Sequence, residues 1–327
     1  MASFTSIPPE LHSYIFQFGC TDDGRTIRAL SLLSRYFYAI ARSFLYHTLA
    51  ISSSSDHLPL LLTKLQSTPP HLRRITHLFL SDVPSSSSTP KKLSEPSVSK
   101  NIFDLLTLAS PSLRTLSFIA HAPHTSTHLI ARLFRISFPL LGELSVSGYY
   151  PFPSPPPAFD DAKPTMPSLK KLHLHGNRNP HGLLQSQALE GACPALEELR
   201  VSGLAMASSF VIELEDALLS SSSSSSEGSD NDDALFPASL PPTIKLVIVQ
   251  AGVRPPVGAK SSMVVLKDDA MMRQLERIRA IARDREEEGM RVVVLDRPEE
   301  GMDVMSPAEM KKVWLNGVAG RRDGWWS

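Results

Sequence analysis

The chain has 327 residues, 42% of them hydrophobic, with 27 prolines and a formal net charge of zero from 33 basic and 33 acidic side chains. That length holds roughly one to three domains with a sizeable core, and the prolines and serine-only runs point to ordered segments separated by flexible insertions. Balanced charge without a basic patch or a cationic amphipathic helix excludes the usual footprint of nucleic-acid and membrane-surface binding, so neither partner is expected.

Met1-Ala2-Ser3-Phe4 lacks a basic n-region and an apolar h-region, so no signal peptide is expected. The longest apolar stretch, Leu58 to Leu65, contains Pro59 and Lys64 and is too short to span a bilayer. Only Cys20 and Cys193 occur, far apart and without a ligand pattern, which favours a reducing compartment. An intracellular protein, cytoplasmic or nuclear, is expected.

Residues 7–49 read as a helical unit. Pro8-Pro9-Glu10 suits a first helical turn, because proline needs no partner for an N–H there and an acid complements the positive helix end. Leu11, Ile15, Phe16 and Phe18 recur at helical spacing, and Gly19 can end that helix. Thr21-Asp22-Asp23-Gly24 supplies turn and capping chemistry. A second helix carries Ile27, Leu30 and Leu33 on one face, and a third runs through Phe37, Ile40 and Ala41. So few residues bury only a marginal core, which leaves apolar surface for a partner or for the rest of the chain to cover.

The strings Ile7-Pro8-Pro9-Glu10-Leu11, Ile15-Phe16, Leu30-Ser31-Leu32-Leu33-Ser34-Arg35-Tyr36-Phe37 and Leu45-Tyr46 resemble an F-box. Ile7 stands where that motif usually has Leu, and Ser34 where Cys is common. The resemblance implies docking onto the SKP-type linker of a cullin–RING ubiquitin ligase, through Ile7, Pro8, Leu11, Ile15, Phe16, Leu32 and Leu33. A helical cap on a repeat domain is the other reading of the same segment.

The middle of the chain repeats Pro-x-Leu-x-x-Leu-x-Φ. Copies begin at Pro111, Pro139, Pro167 and Pro194, at intervals of 28, 28 and 27 residues. Degenerate copies begin at Pro70 and Pro242, and the longer gaps beside them hold Ser85–Pro90 and Ser220–Asp233. Such low-complexity stretches cannot bury enough apolar surface to order themselves. This period and the Leu-x-x-Leu-x-Leu-like strands resemble leucine-rich repeats. Alternation turns one strand face into the core, and segments such as His128–Phe134 have the periodicity of an outer helix. The asparagine usual after Leu-x-Leu stands only at Asn177, so irregular repeats are expected.

Asp268 to Glu288 predicts a helix with Met271, Leu275, Ile278 and Ala282 on one face and Gly289 as C-cap. Met290 to Leu295 predicts a strand, and Ser306-Pro307-Ala308-Glu309 a capping box opening a last helix through Trp314. Trp325-Trp326 either tucks into that cap or frays.

No nucleophile elbow, phosphate loop or dinucleotide fingerprint is present. His121, His124 and His128, or His173 and His175, fall short of a four-ligand zinc set, and no cofactor is expected. Asp160-Asp161 reads as solvated, and Ser229 before Asp230 and Asp232 suits an acid-directed kinase. Residues alternating with the core leucines form a candidate substrate face: Thr115, Ser117, Glu143, Ser145, Lys171, His173, His175, Glu198 and Arg200, with Ile119, Ser147 and Ser202 completing the pattern.

The sequence thus predicts an α/β repeat fold: a small N-terminal helical F-box-like module over 5–50, then an irregular leucine-rich-repeat solenoid of parallel strands and outer helices over 51–303. Serine-rich disordered insertions are expected near 83–99 and 220–235, and a helical cap over 304–327. The expected function is a non-enzymatic adaptor holding an unidentified protein substrate. The alternatives are a repeat scaffold without ligase association and an enzyme with an unrecognised site.

Overall fold

The computed structural model describes residues 7–52, 57–81, 96–120, 123–150, 163–185, 187–220, 238–255, 262–285, 290–298 and 305–321. Asp160-Asp161, Ser229, Gly289 and Trp325-Trp326 lie outside them, as do residues 83–95 and 221–235 of the expected insertions. The chain divides into two compact units: Met1–His121 with Met305–Ser327, and Ala122–Val304.

The first unit opens with three helices, α1 (Pro9–Gly19), α2 (Arg25–Ser31) and α3 (Arg35–Ala41). The Pro8 carbonyl accepts the Leu11 and His12 N–H groups to start α1. Asp22 then receives the N–H groups of Gly24 and Thr26 at 3.1 and 2.9 Å, and Gly24 turns the chain at φ +85°. Ser34 caps α3 by accepting the Phe37 N–H. Phe16, Cys20, Ile27 and Ala41 form the core of the three helices, with Leu30, Phe37, Ile40, Phe44 and Leu45 packed around it.

Three parallel strands follow, β1 (Thr48–Ser52), β2 (His77–Ser81) and β3 (Thr115–Ile119), in register through Leu49, Leu78 and Leu116. The helices α4 (Leu58–Ser67) and α5 (Pro96–Ala109) fill the connections. Helix α5 reaches back into the stretch 83–99 expected as an insertion: proline is tolerated at its first position, and Ser99 is already buried. The unit also holds α10 (Pro307–Val318), which closes the capping box foreseen at Ser306 and Glu309.

The second unit carries α6 (Pro123–Leu133), then the parallel strands β4 (Glu143–Ser147), β5 (Lys171–His175), β6 (Glu198–Leu204), β7 (Leu246–Ala251) and β8 (Arg291–Leu295). Helices α7 (Ala188–Ala192), α8 (Ser208–Ser220) and α9 (Ser262–Arg285) lie between them in sequence. Helix α8 includes Ser220, the first residue of the expected insertion, and α9 starts six residues before Asp268, since no breaker separates Ser262 from it.

Every Pro-x-Leu copy delivers a strand whose two alternating apolar residues are buried, from Leu78 and Leu80 to Val247 and Val249. The middle residue of the motif ties one copy to the one before. Ser112 donates to the Ile75 carbonyl, Ser168 to Pro139 and Thr243 to Leu196, at 2.7–3.0 Å. Glycines follow β4 and β5, and a Cβ on Gly176 would stand 2.9 Å from the Gly148 nitrogen. Gly176 also sits at φ +94°, so neighbouring copies approach backbone to backbone at a point where no side chain fits.

Candidate functional site

Helix α1 is apolar on two sides. A rotation of about 100° per residue places His12, Phe16 and Cys20 together facing α3, and Leu11, Tyr14, Ile15 and Phe18 on the opposite side. His12 is fully buried: its Nδ1 meets the Tyr36 hydroxyl at 3.1 Å, and its ring packs edge-on against Tyr36 and Phe37. The outer stripe has no such cover. Phe18 is 76% exposed, and Leu32 and Leu33 in the turn after α2 are 86% and 66% exposed. Pro8 is exposed and Ile7 half-buried beneath Tyr36, whose hydroxyl donates to its carbonyl. Of the residues expected to dock, Phe16 is corrected to the module's core, at 2% exposure. Phe18 and Tyr14, absent from that expectation, join the surface.

Leu33 was expected both on the inner face of α2 and among the docking residues, and only the first expectation is corrected. Ile27, Leu30 and Leu33 share a face only if the helix continues, and α2 ends at Ser31. Leu33 therefore leaves the core side and points to solvent.

In the second unit the outward positions of β4, β5 and β6 gather the remaining predicted face. Lys171 bridges Glu198 at 3.0 Å, with Glu143 beside them in register. Burial pushes the Glu143 carboxyl above its ordinary range, with Lys171 opposing and Glu198 adding to the shift. One step along the strands, the Nε2 of His173 meets the Ser202 hydroxyl at 2.7 Å, and its Nδ1 meets Ser145 at 3.4 Å. His175 Nδ1 reaches the same Ser202 hydroxyl at 3.1 Å. This polar chain crosses three strands. His173 is only 3% exposed, and burial, reinforced by Arg200 and His175, keeps its imidazole well below the usual histidine range. The expectation of an open His173 is therefore corrected: tight in-register stacking makes it a neutral linking group, and Glu143, Ser145, Lys171, His175, Glu198 and Arg200 are partly exposed around it.

Thr115 and Ser117 belong to the first unit, where the outward face is covered. Met310 and Trp314 of α10 pack on Phe79 and Ile119, with Ala50, Leu315 and Val318 around them. Ser117, in register with Phe79, is 1% exposed, so its expected place on an open face is corrected. Thr115 is bonded to His77 Nδ1 at 2.8 Å. Helix α10 packs on β2 and β3, because Phe79 and Ile119 are apolar at positions that solvent would require to be polar. Those two residues were the available sequence signal. Lys311 adds an ion pair to Asp23 at 2.7 Å.

Elsewhere the chemistry is structural. The buried Glu213 on α8 accepts the Gly182 N–H at 2.8 and 3.1 Å and the Gln185 amide at 3.2 Å, and it pairs with His181. Cys20 and Cys193 are free and buried, and burial pushes their thiols up to about 11 and about 12. Among the described residues no three metal-ligating side chains cluster, and no helix is long and apolar enough to cross a membrane. His121 and the His124 side chain lie outside those residues.

No family model, curated protein or solved structure matches the chain.

Proposed function

We propose that the chain is a substrate-recognition adaptor of an SCF-type cullin–RING ubiquitin ligase. Its helical module is an F-box that docks the SKP-type linker through Leu11, Ile15, Leu32 and Leu33, flanked by Pro8, Tyr14 and Phe18. The strand–helix copies are irregular leucine-rich repeats, and the polar outward face of β4–β6 holds a protein substrate. Ligase chemistry belongs to partner subunits, and this chain performs none.

The observation that carries the reading is the second apolar side of α1. A three-helix module gains nothing for its own core from Leu11, Ile15, Phe18, Leu32 and Leu33, yet all five are exposed. Exposed apolar side chains gathered on one small module mark an interaction surface. The resemblance of Ile7–Tyr46 to an F-box says which partner the surface fits. The mixed charges of Glu143, Lys171, Glu198 and Arg200 favour a protein substrate over nucleic acid.

The test is a pull-down of the SKP-type linker with the full chain and with a Leu11→Asp/Leu33→Asp variant. Capture by the wild type and loss in a variant of unchanged circular dichroism supports the adaptor. A folded wild type that captures no linker leaves a repeat scaffold with an apolar surface for another partner.

A further inference from the structure

We infer that the outward face of β1–β3 is a helix-binding site, that α10 is its resident ligand, and that an amphipathic helix of like chemistry competes with it. The fitting partner presents a large aromatic residue four positions after an aliphatic or thioether residue, with a basic residue next to the latter. Met310, Lys311 and Trp314 spell that pattern in α10 itself.

The contact has the make-up of a docked interface. Its apolar centre is small: Phe79, Ile119, Met310 and Trp314 are the buried residues, and the ring pair Phe79–Trp314 dominates it. Around that centre the fit is polar and incomplete. Ser117 Oγ and Trp314 Nε1 are buried without a hydrogen-bond partner among the described residues, as is Thr48 Oγ1 at the start of the same outward face. Burying such groups without partners costs free energy, so the contact is held less firmly than its apolar centre alone would hold it.

Helix α10 also carries its own starting signals. Ser306 and Glu309 satisfy each other's backbone donors, and Pro307 fixes the first turn, so the helix is pre-organised without the sheet. Its polar link is the Lys311–Asp23 pair, which holds the Asp23 carboxyl below its usual range despite partial burial. Asp23 sits in the turn between α1 and α2, so leaving the groove also frees a charge on the helical module. The groove and its helix stand whether or not the module docks a ligase linker.

Hydrogen exchange on the full chain tests this directly. The amides of residues 310–318 are expected to exchange at least a hundredfold faster than those of β2 and β3, reporting release of α10 with the strands intact. Exchange of α10 in step with β2 and β3 overturns the inference. A labelled peptide of residues 305–321 supplies the second measurement. It is expected to bind a full-length Trp314→Ala chain at least tenfold more tightly than the wild type, whose own helix competes. If Trp314→Ala does not fold, Lys311→Glu takes its place, because it sets a like charge against Asp23 without touching the apolar contact. Equal binding to wild type and variant, or none to a folded variant, overturns the helix-binding site.

Discussion

The indole of Trp314 lies against the ring of Phe79 with centroids 5.5 Å apart and planes tilted by 45°. Two aromatic residues 235 positions apart in sequence thus form the centre of the contact between α10 and β2. Trp314→Ala is expected to destabilise the first unit by about 3 kcal/mol, in the usual range for removing a large buried aromatic. Trp314→Phe keeps the ring contact and removes a buried N–H that has no partner among the described residues, so its cost should stay within about 1 kcal/mol. Urea unfolding of both variants checks the pair, and equal losses would show that the contact depends on more than the ring.

Phe16 and Phe18 should separate stability from interaction. Phe16→Ala removes a buried side chain from the three-helix core and is expected to cost about 3–4 kcal/mol. Phe18→Ser alters an exposed side chain and should change stability by no more than about 0.5 kcal/mol, while weakening capture of the linker. Thermal melts beside pull-downs read both effects. Comparable melting shifts in the two variants would contradict the two-sided assignment of α1.

The first unit should lose stability as pH falls below neutrality. Burial, with His47 and Arg114 adding, lowers His77 from 6.5 to about 3, and burial lowers His47 as well. Both rings hold a proton less readily in the fold than in the unfolded chain, which takes up protons below 6.5. Their contribution is complete above 6.5 and is lost as pH falls from there toward the folded values, by up to about 1.4 kcal/mol per pH unit for each histidine. Urea unfolding at pH 7.5 and 5.5 should show a smaller difference in His77→Gln than in the wild type. An unchanged difference would remove His77 as a source.

Two glycines give opposite expectations. Gly176→Ala combines a left-handed backbone with a Cβ 2.9 Å from the Gly148 nitrogen, and should cost about 2–3 kcal/mol. Gly191 lies within α7 with nothing within 4 Å of a Cβ, so Gly191→Ala should be neutral or stabilise by up to about 1 kcal/mol. Denaturation midpoints of the two variants on either side of the wild type are the expected outcome.

The sequence made β2 to β7 legible because each needs the same local pattern: a proline turn, then apolar residues at alternating positions. It revealed the existence of β2 and β7 even where the motif is degenerate. The capping box at Ser306 was equally readable, since Ser306 and Glu309 act on each other across one turn. What escaped was the destination of elements. Nothing near Trp314 names Phe79, and nothing near Phe16 says which side of α1 meets α3. Leu33 left the face expected for α2 because that helix stops two residues earlier, and a helix end decides the direction of every residue beyond it. His173 was misjudged because its burial comes from Ser145, Ser202 and Arg200 on neighbouring strands, at distances no local window spans.

In-register pairing of β4, β5 and β6 has a consequence for how recognition is written in this chain. Ser145, His173 and Arg200 stand side by side in a column, as do Glu143, Lys171 and Glu198, although their members are 27 or 28 residues apart in sequence. Adjacent strands fix the spacing within a column at about 4.8 Å, whatever length of chain joins them. Specificity on this face is therefore spelled across the strands and not along them. Loops can lengthen without disturbing the spelling, whereas a one-residue slip in a single strand would replace a whole letter in every column at once.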